Sequence, residues 1–300
     1  MEANKVATQQ VQSMSKQPKP KLNMLKAMLE RFVQNKLAVL GAIFLLLLIT
    51  MAIFAPLLAP YDPTEQDYAR FLMSPNAEHW FGTDELGRDV FSRVMYGARV
   101  SLQAGLISVA IALSVGIPVG LISGYYRGII DEYIVMRFTD ALLSFPPLVL
   151  ALSLAAILGA GLQNAMLAIG IVFVPNIIRL IRAEVLSQRE REYVEAAKAS
   201  GLSDLRVIFV HILPNCIPPI LVQATLMTAA AIIAEASLSY LGLGTQPPTP
   251  SWGAMLSMGQ GYLNDAPWIA LFPGLFIFLT VLSINLFGDG LRDALDPKLK

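Results

Sequence analysis

Asp84, Arg88, Asp89 and Arg93 form the densest cluster of chemically capable residues in this sequence. Carboxylate and guanidinium groups about one helical turn apart can pair. Such a group either caps its own loop or meets a charged ligand. The surrounding stretch, 81–93, also holds Gly82, Thr83, Gly87 and Ser92. Glu235 stands alone, the single charge between positions 212 and 264. His79 and His211 are isolated, and each reads as a structural residue. Cys216 is the one cysteine, so no intrachain disulfide is possible, and it reads as a small packing residue. The chain has no Gly-Lys dipeptide, hence no phosphate-cradling P-loop, and no G-x-G-x-x-G, H-E-x-x-H or C-x-x-C. No catalytic residue, metal site or cofactor site is expected in this chain.

A second candidate is the charged segment 179–211, too long for a simple connector. Its pattern predicts two short helices. The first covers about 190–199 and stops at Gly201, a good left-handed terminator. Ser203 can cap the second, which carries Leu205, Ile208 and Phe209 and ends before Pro214. Small Ala196 and Ala197 leave a flat surface that a partner can approach. Glu195 is expected to orient this elbow by pairing with a nearby arginine. A solvated charged hairpin would explain the charges but not the small–Gly–apolar pattern.

These candidates must be positioned by a membrane scaffold. The 300 residues are 55% hydrophobic and 15% charged, with mean hydropathy +0.58. A soluble domain carries about a quarter charged residues, and this much apolar surface cannot fit one core. Net charge is zero, so nothing points to nucleic acid. Charge-free runs of bilayer-crossing length, broken at Gly and Pro clusters, predict six transmembrane helices at 37–58, 101–124, 139–158, 163–182, 216–241 and 267–288. The first is too long for a signal-peptide core and reads as an uncleaved anchor. With the N-terminus inside, 18 of the 22 Lys and Arg residues fall on the inner side. Both termini are therefore expected to be cytoplasmic, with an outer loop 59–99, a second outer loop 242–266 and a cytoplasmic loop 183–211.

Residues 1–20 read as a disordered tail, and 21–36 as a basic amphipathic helix on the inner membrane face or an extension of the first span. Gly116, Gly120 and Gly124 share one face of the second span and predict close helix packing. Pro118, Pro146 and Pro147 are expected to distort their helices. Glu235 falls near the outer end of the fifth span. It reads either as an interfacial residue reaching toward water or as part of an outer gate. Trp252 and Tyr262 in the second outer loop suit contact with a protein or with the outer leaflet.

The residues 195–197, Gly201 and Leu213-Pro214 resemble the EAA motif of ABC-importer permeases, E-A-A-x3-G-x9-I-x-L-P, with His211 in the Ile position. The stretch 81–93 is similar to the G-T-D-x-x-G-R-D-x-x-S-R segment of dipeptide, oligopeptide and nickel permeases. Stretches 241–253 and 288–297 resemble that family's last outer loop and C-terminus. The likeness covers nearly all of 37–300 and is that of the "C" permease, with glutathione-importer permeases equally close. It implies an all-α ABC type I importer permease in a bacterial or archaeal cytoplasmic membrane, carrying peptides or, alternatively, glutathione, nickel or a metal chelate. It also implies a homologous second permease, two ATPase subunits that hold ATP and Mg, and an extracytoplasmic solute-binding protein. Glu195, Ala196, Ala197, Gly201, Leu213 and Pro214 would couple to the ATPase, whose hydrolysis this chain does not perform. A secondary carrier is disfavoured by the lack of midplane charge. A non-transporting scaffold predicts no ATPase partner.

Overall fold

The computed structural model describes residues 20–295. The expected disordered tail, but for Pro20, and the end of the C-terminal motif lie outside the described residues. Ten helices of eight or more residues carry these described residues: α1 Pro20–Gln34, α2 Lys36–Ile53, α3 Val90–Tyr126, α4 Met136–Leu143, α5 Pro147–Leu158, α6 Leu162–Arg189, α7 Glu192–Ala199, α8 Leu213–Tyr240, α9 Trp252–Gln260 and α10 Trp268–Leu295. There is no strand among them, only an isolated bridge between Thr83 and Asp89.

The long helices follow the apolar runs, and three helices begin where a side chain satisfies a free N–H group. Asn35 accepts from the Ala38 N–H at 3.2 Å and so separates α1 from α2. Asp89 accepts from the Ser92 N–H at 2.7 Å and starts α3. Ser251 caps α9 by accepting from the Ala254 N–H at 3.2 Å. At 37 residues, α3 is about 55 Å long, well beyond a bilayer core of about 30 Å.

Among the described residues, five helices are long and apolar enough to cross a membrane: 36–53, 90–126, 162–189, 204–240 and 268–295. The predicted third span, 139–158, is not one straight helix. Residues 130–143 and 147–158 meet at 96°, and they make a sixth span only as a bent pair. Pro146 and Pro147 explain the break. Each lacks the N–H that a helix interior needs, and a proline pushes the residue before it out of the helical region. Pro146 itself has ψ 127°, extended, and Pro147 opens α5.

The core is built on α3 and α6. A Cβ placed on Gly116 would come within 2.6 Å of the Ile177 Cβ, one on Gly120 within 2.7 Å of the Ile181 Cβ, and one on Gly124 within 2.8 Å of the Val185 Cβ. The glycine ladder therefore makes the close packing expected from its spacing, and makes it within this chain, on Ile177, Ile181 and Val185 of α6. The contact is reciprocal: Gly170 of α6 faces Ile111 of α3, and Ser108 donates to the Met166 carbonyl at 3.0 Å. Helix α10 packs on α2, where Gly41 lies under the Ser283 carbonyl, and α1 joins it through a Phe32–Phe287 edge contact at 5.5 Å. The outward faces of α2 keep Leu40, Leu46 and Leu47 exposed, as lipid-facing surface requires.

Candidate functional site

The elbow forms at the end of α6. Arg191 is extended, α7 runs from Glu192 to Ala199, and Gly201 follows at φ +76°. Gly201 donates its N–H to the Lys198 carbonyl at 2.9 Å, and Leu202 donates to Ala197 at 3.3 Å, closing a helix end in which the left-handed residue favours glycine. No atom lies within 4 Å of where a Gly201 Cβ would stand, so the demand there is conformational, not spatial.

The second arm differs from expectation. Ser203 sits at the cap position, but its hydroxyl makes no capping bond; its carbonyl accepts from Val207 instead, at 3.0 Å. The arm does not end before Pro214. A helical turn at 204–206 passes through a wider π-type turn, Val207–Ile212, straight into α8. Pro214 lies in the first α-helical turn beyond the widened one, where a missing N–H is tolerated. The second coupling arm is thus the end of the fifth spanning helix.

The elbow is two-faced. Val194, Ala197, Val207, Ile208 and Ile212 are buried against Leu121 and Tyr125 of α3 and Val185 of α6. Glu195, Ala196, Gly201 and Pro214 are exposed, and Leu205 and Phe209 show 65% and 56% of their surface. Glu195 makes no ion pair among the described residues, so the expected arginine partner is not found there. Tyr193 donates to Gln188 at 2.8 Å and accepts from Asn215 at 3.2 Å, tying α7 to the start of α8. Its partial burial raises the phenol above its ordinary value, which keeps it a donor.

The 79–93 cluster is built the other way. Asp84 accepts from Arg88 Nε at 2.7 Å, from the Leu86 and Arg88 N–H groups, and faces Arg93 Nε at 3.4 Å. Arg93 also donates to the Pro63 carbonyl at 2.8 Å, and Arg88 to Glu85 at 3.1 Å. Asp89 pairs with neither arginine. It caps α3 and accepts from His79 Nδ1 at 2.8 Å, while Arg70 donates to the other ring nitrogen at 2.9 Å. His79, read from sequence as isolated, therefore links Arg70 to Asp89. Thr83 bonds the Arg70 carbonyl and accepts from the Met73 N–H, and Ser92 accepts from the Tyr61 N–H at 3.2 Å. Gly82 and Gly87 hold the loop's two left-handed positions; a Cβ on Gly82 would meet the Trp268 indole at 2.7 Å.

Glu235 does not reach water. It is fully buried between α3, α8 and the following loop, and accepts from Ser239 at 2.6 Å and from Ser101 and Thr245 at 3.4 Å each. Trp252 is also fully buried. It packs on Gly97 and donates to the Val94 carbonyl at 3.0 Å, which overturns its reading as a contact for another protein or for lipid.

Two features escaped the sequence reading. Arg182 grips Asp131 with two nitrogens at 2.7–3.2 Å and Arg179 holds Asp140 at 2.6 Å, pinning the bent segment to α6. Tyr125 touches three parts of the elbow region. Their partners lie 39 to 79 positions apart in sequence, beyond any local spacing signal.

Residues 116–300, which include α6, the whole elbow and α8, match the family described as "Binding-protein-dependent transport system inner membrane component". The chain belongs to this family. Residues 23–75 match the N-terminal transmembrane domain of oligopeptide transport permease C. The chain is 52% identical over 267 residues to the dipeptide transport system permease protein DppC of Alkalihalophilus pseudofirmus, covering 89% of this chain and 88% of that one. It is 46% identical over 271 residues to the glutathione transport system permease protein GsiD of Pectobacterium atrosepticum, covering 90% of each. Its fold is similar to that of a chain of the inward-facing MetNI methionine ABC transporter, with TM-score 0.57 and 20% identity over 69% of this chain and 98% of that one. This transport-system permease is thus an all-helical, multi-pass membrane component of an ABC importer.

Proposed function

We propose that this permease carries peptides inward across a bacterial or archaeal cytoplasmic membrane, and that its elbow, 192–214, receives the motion produced by ATP hydrolysis on separate ATPase subunits. The names of its relatives support the cargo, since several are dipeptide or di/tripeptide permeases. The single observation that carries the coupling role is the elbow's two-sidedness. One face is locked into α3 and α6, and the other presents Glu195, Ala196, Leu205 and Phe209 with nothing among the described residues to cover them. A homologous second permease would complete the pathway. An external binding protein would deliver cargo, and ATP with Mg would sit on the partner chains. Both termini would be cytoplasmic, following the basic asymmetry. Glutathione is the second reading, favoured by relatives named for it.

Uptake decides the cargo: a deletion strain carrying this chain and its operon partners should regain transport of labelled di- and tripeptides. Rescue of glutathione alone would replace the first reading with the second. Gly201→Val decides the coupling role. It should insert and express normally but lose uptake, together with co-purified ATPase. Full uptake with a normal complex would reduce the elbow to a connector. Single cysteines at Ser203 and Thr249 test orientation, since an impermeant reagent on intact cells should label only Thr249→Cys.

A further inference from the structure

Tyr125 is the penultimate residue of α3, and a tyrosine at a helix end near an interface needs no special account. Its contacts do. Its hydroxyl donates to the Asp204 carboxylate at 2.6 Å. Its ring lies 4.9 Å from the Lys198 ammonium, within cation–π range. Its carbonyl accepts from Arg189 Nη1 at 2.8 Å. One buried residue thus holds the last turn of α7, the first residue of the second arm and the end of α6. Between the two arms lies Gly201, around which a Cβ would meet nothing within 4 Å. Backbone bonds from Gly201 to Lys198 and from Leu202 to Ala197 close the turn, and the angle between its arms is then held by what both arms touch, Tyr125 together with the buried apolar face beneath them.

Tyr125 is also at the far end of α3. That helix begins at Asp89, inside the buried ionic cluster, and is continuous over 37 residues. Along its length Gly116, Gly120 and Gly124 seat it closely against Ile177, Ile181 and Val185 of α6. A tilt or rotation of α3 must therefore move Asp204 and Lys198 with it.

We propose that Tyr125 is a positioning residue for the elbow, setting the angle between its two arms and linking that angle to the pose of α3. The proposal rests on the coupling role given above. The phenol anchors the second arm through a charge-assisted bond, and the ring face anchors the first.

The test uses the complete transporter, with ATPase subunits and binding protein, reconstituted in lipid nanodiscs for exchange and in vesicles for import. Tyr125→Phe removes only the hydroxyl. Tyr125→Ala removes the ring as well, and Asp204→Asn keeps an acceptor for the phenol. Amide hydrogen exchange at 192–212 should quicken about tenfold in Tyr125→Phe, the factor one lost bond to a carboxylate is worth. Tyr125→Ala should exceed that, and Asp204→Asn, which keeps a neutral acceptor, should fall between wild type and Tyr125→Phe. The number of alanyl-alanine molecules imported per ATP hydrolysed should fall about tenfold in Tyr125→Phe, with glutathione in a parallel arm as the alternative cargo. Basal hydrolysis and co-purified ATPase should hold steady. Unchanged exchange and an unchanged import-to-ATP ratio in Tyr125→Phe would overturn the proposal. So would faster exchange spread evenly over α3 and α6, which is the mark of a merely structural role. Gly201→Val in the same assay separates the layers. If it imports normally, the coupling role fails and takes this proposal with it. If it stops import while Tyr125→Phe is normal, only the assignment to Tyr125 falls.

Discussion

In the 79–93 cluster, Asp84, Arg88, Asp89 and Arg93 are each 3% exposed or less, and every one has a partner inside the chain. In the elbow, Glu192 and Glu195 lie open, beside apolar Leu205 and Phe209 that are equally open. Both regions are dense in charge and both sit where long helices end. The first has spent its polar groups on itself, leaving little with which to bind another molecule. The second has satisfied one face and left the other unsatisfied. Charge density alone therefore does not single out the surface proposed to meet the ATPase; what singles it out is charge without an internal ion pair among the described residues.

The comparison breaks most visibly at Asp84. Asp84→Ala leaves two buried guanidinium groups without their shared carboxylate, and removing one member of a buried pair costs about 3–5 kcal/mol. Its melting temperature in detergent should fall sharply, with loss of yield. A melting temperature equal to wild type would show that the cluster is not what holds this segment. Gly120→Leu ranks next. Its side chain must enter space already taken by Ile181 and the Ile178 carbonyl, for about 1–3 kcal/mol of overpacking strain or more. Monodisperse yield should drop, whereas Gly261→Ala, where the nearest atom is 3.8 Å from a Cβ, should behave as wild type. The smallest effect on stability, and the one that sharpens the contrast, belongs to Glu195→Ala. An exposed residue without an internal ion pair should change stability by no more than about 0.5 kcal/mol. Co-purified ATPase should nonetheless fall. A thermal shift as large as that of Asp84→Ala would place Glu195 among the structural charges.

The spans were legible because charge-free runs of bilayer length leave few alternatives. The shared face of Gly116, Gly120 and Gly124 was equally plain from spacing of four. Which helix meets that face was not, since Ile177, Ile181 and Val185 are distant in sequence. Pro146 and Pro147 announced a distortion, but a right-angle bend depends on Arg179 and Arg182 holding its far arm, and those contacts are tertiary. Pro214 misled for a definite reason. A proline ends a helix only from the interior, and the widened turn before it made its position the start of one. Trp252 misled because a loop rich in Gly and Pro reads as open, while Gly97 on α3 supplies the notch that takes the indole. His79 looked isolated because sequence shows neighbours along the chain, and its two partners, Arg70 and Asp89, come to it through a fold in the loop.

The bent third segment also constrains the order in which the protein enters the membrane. Helix α5 has 12 residues, about 18 Å, too short to cross about 30 Å of hydrocarbon by itself. The arm before it carries Asp131, Glu132, Arg137 and Asp140, and the arginines that neutralise Asp131 and Asp140 lie 51 and 39 positions further on. While the ribosome is still making α6, this stretch has neither the length nor the counter-charges of a stable span. Its place in the membrane therefore depends on α6, with which α5 forms one hairpin closed at Gly159–Gly161. Half of the importer's third crossing is thus completed by its fourth.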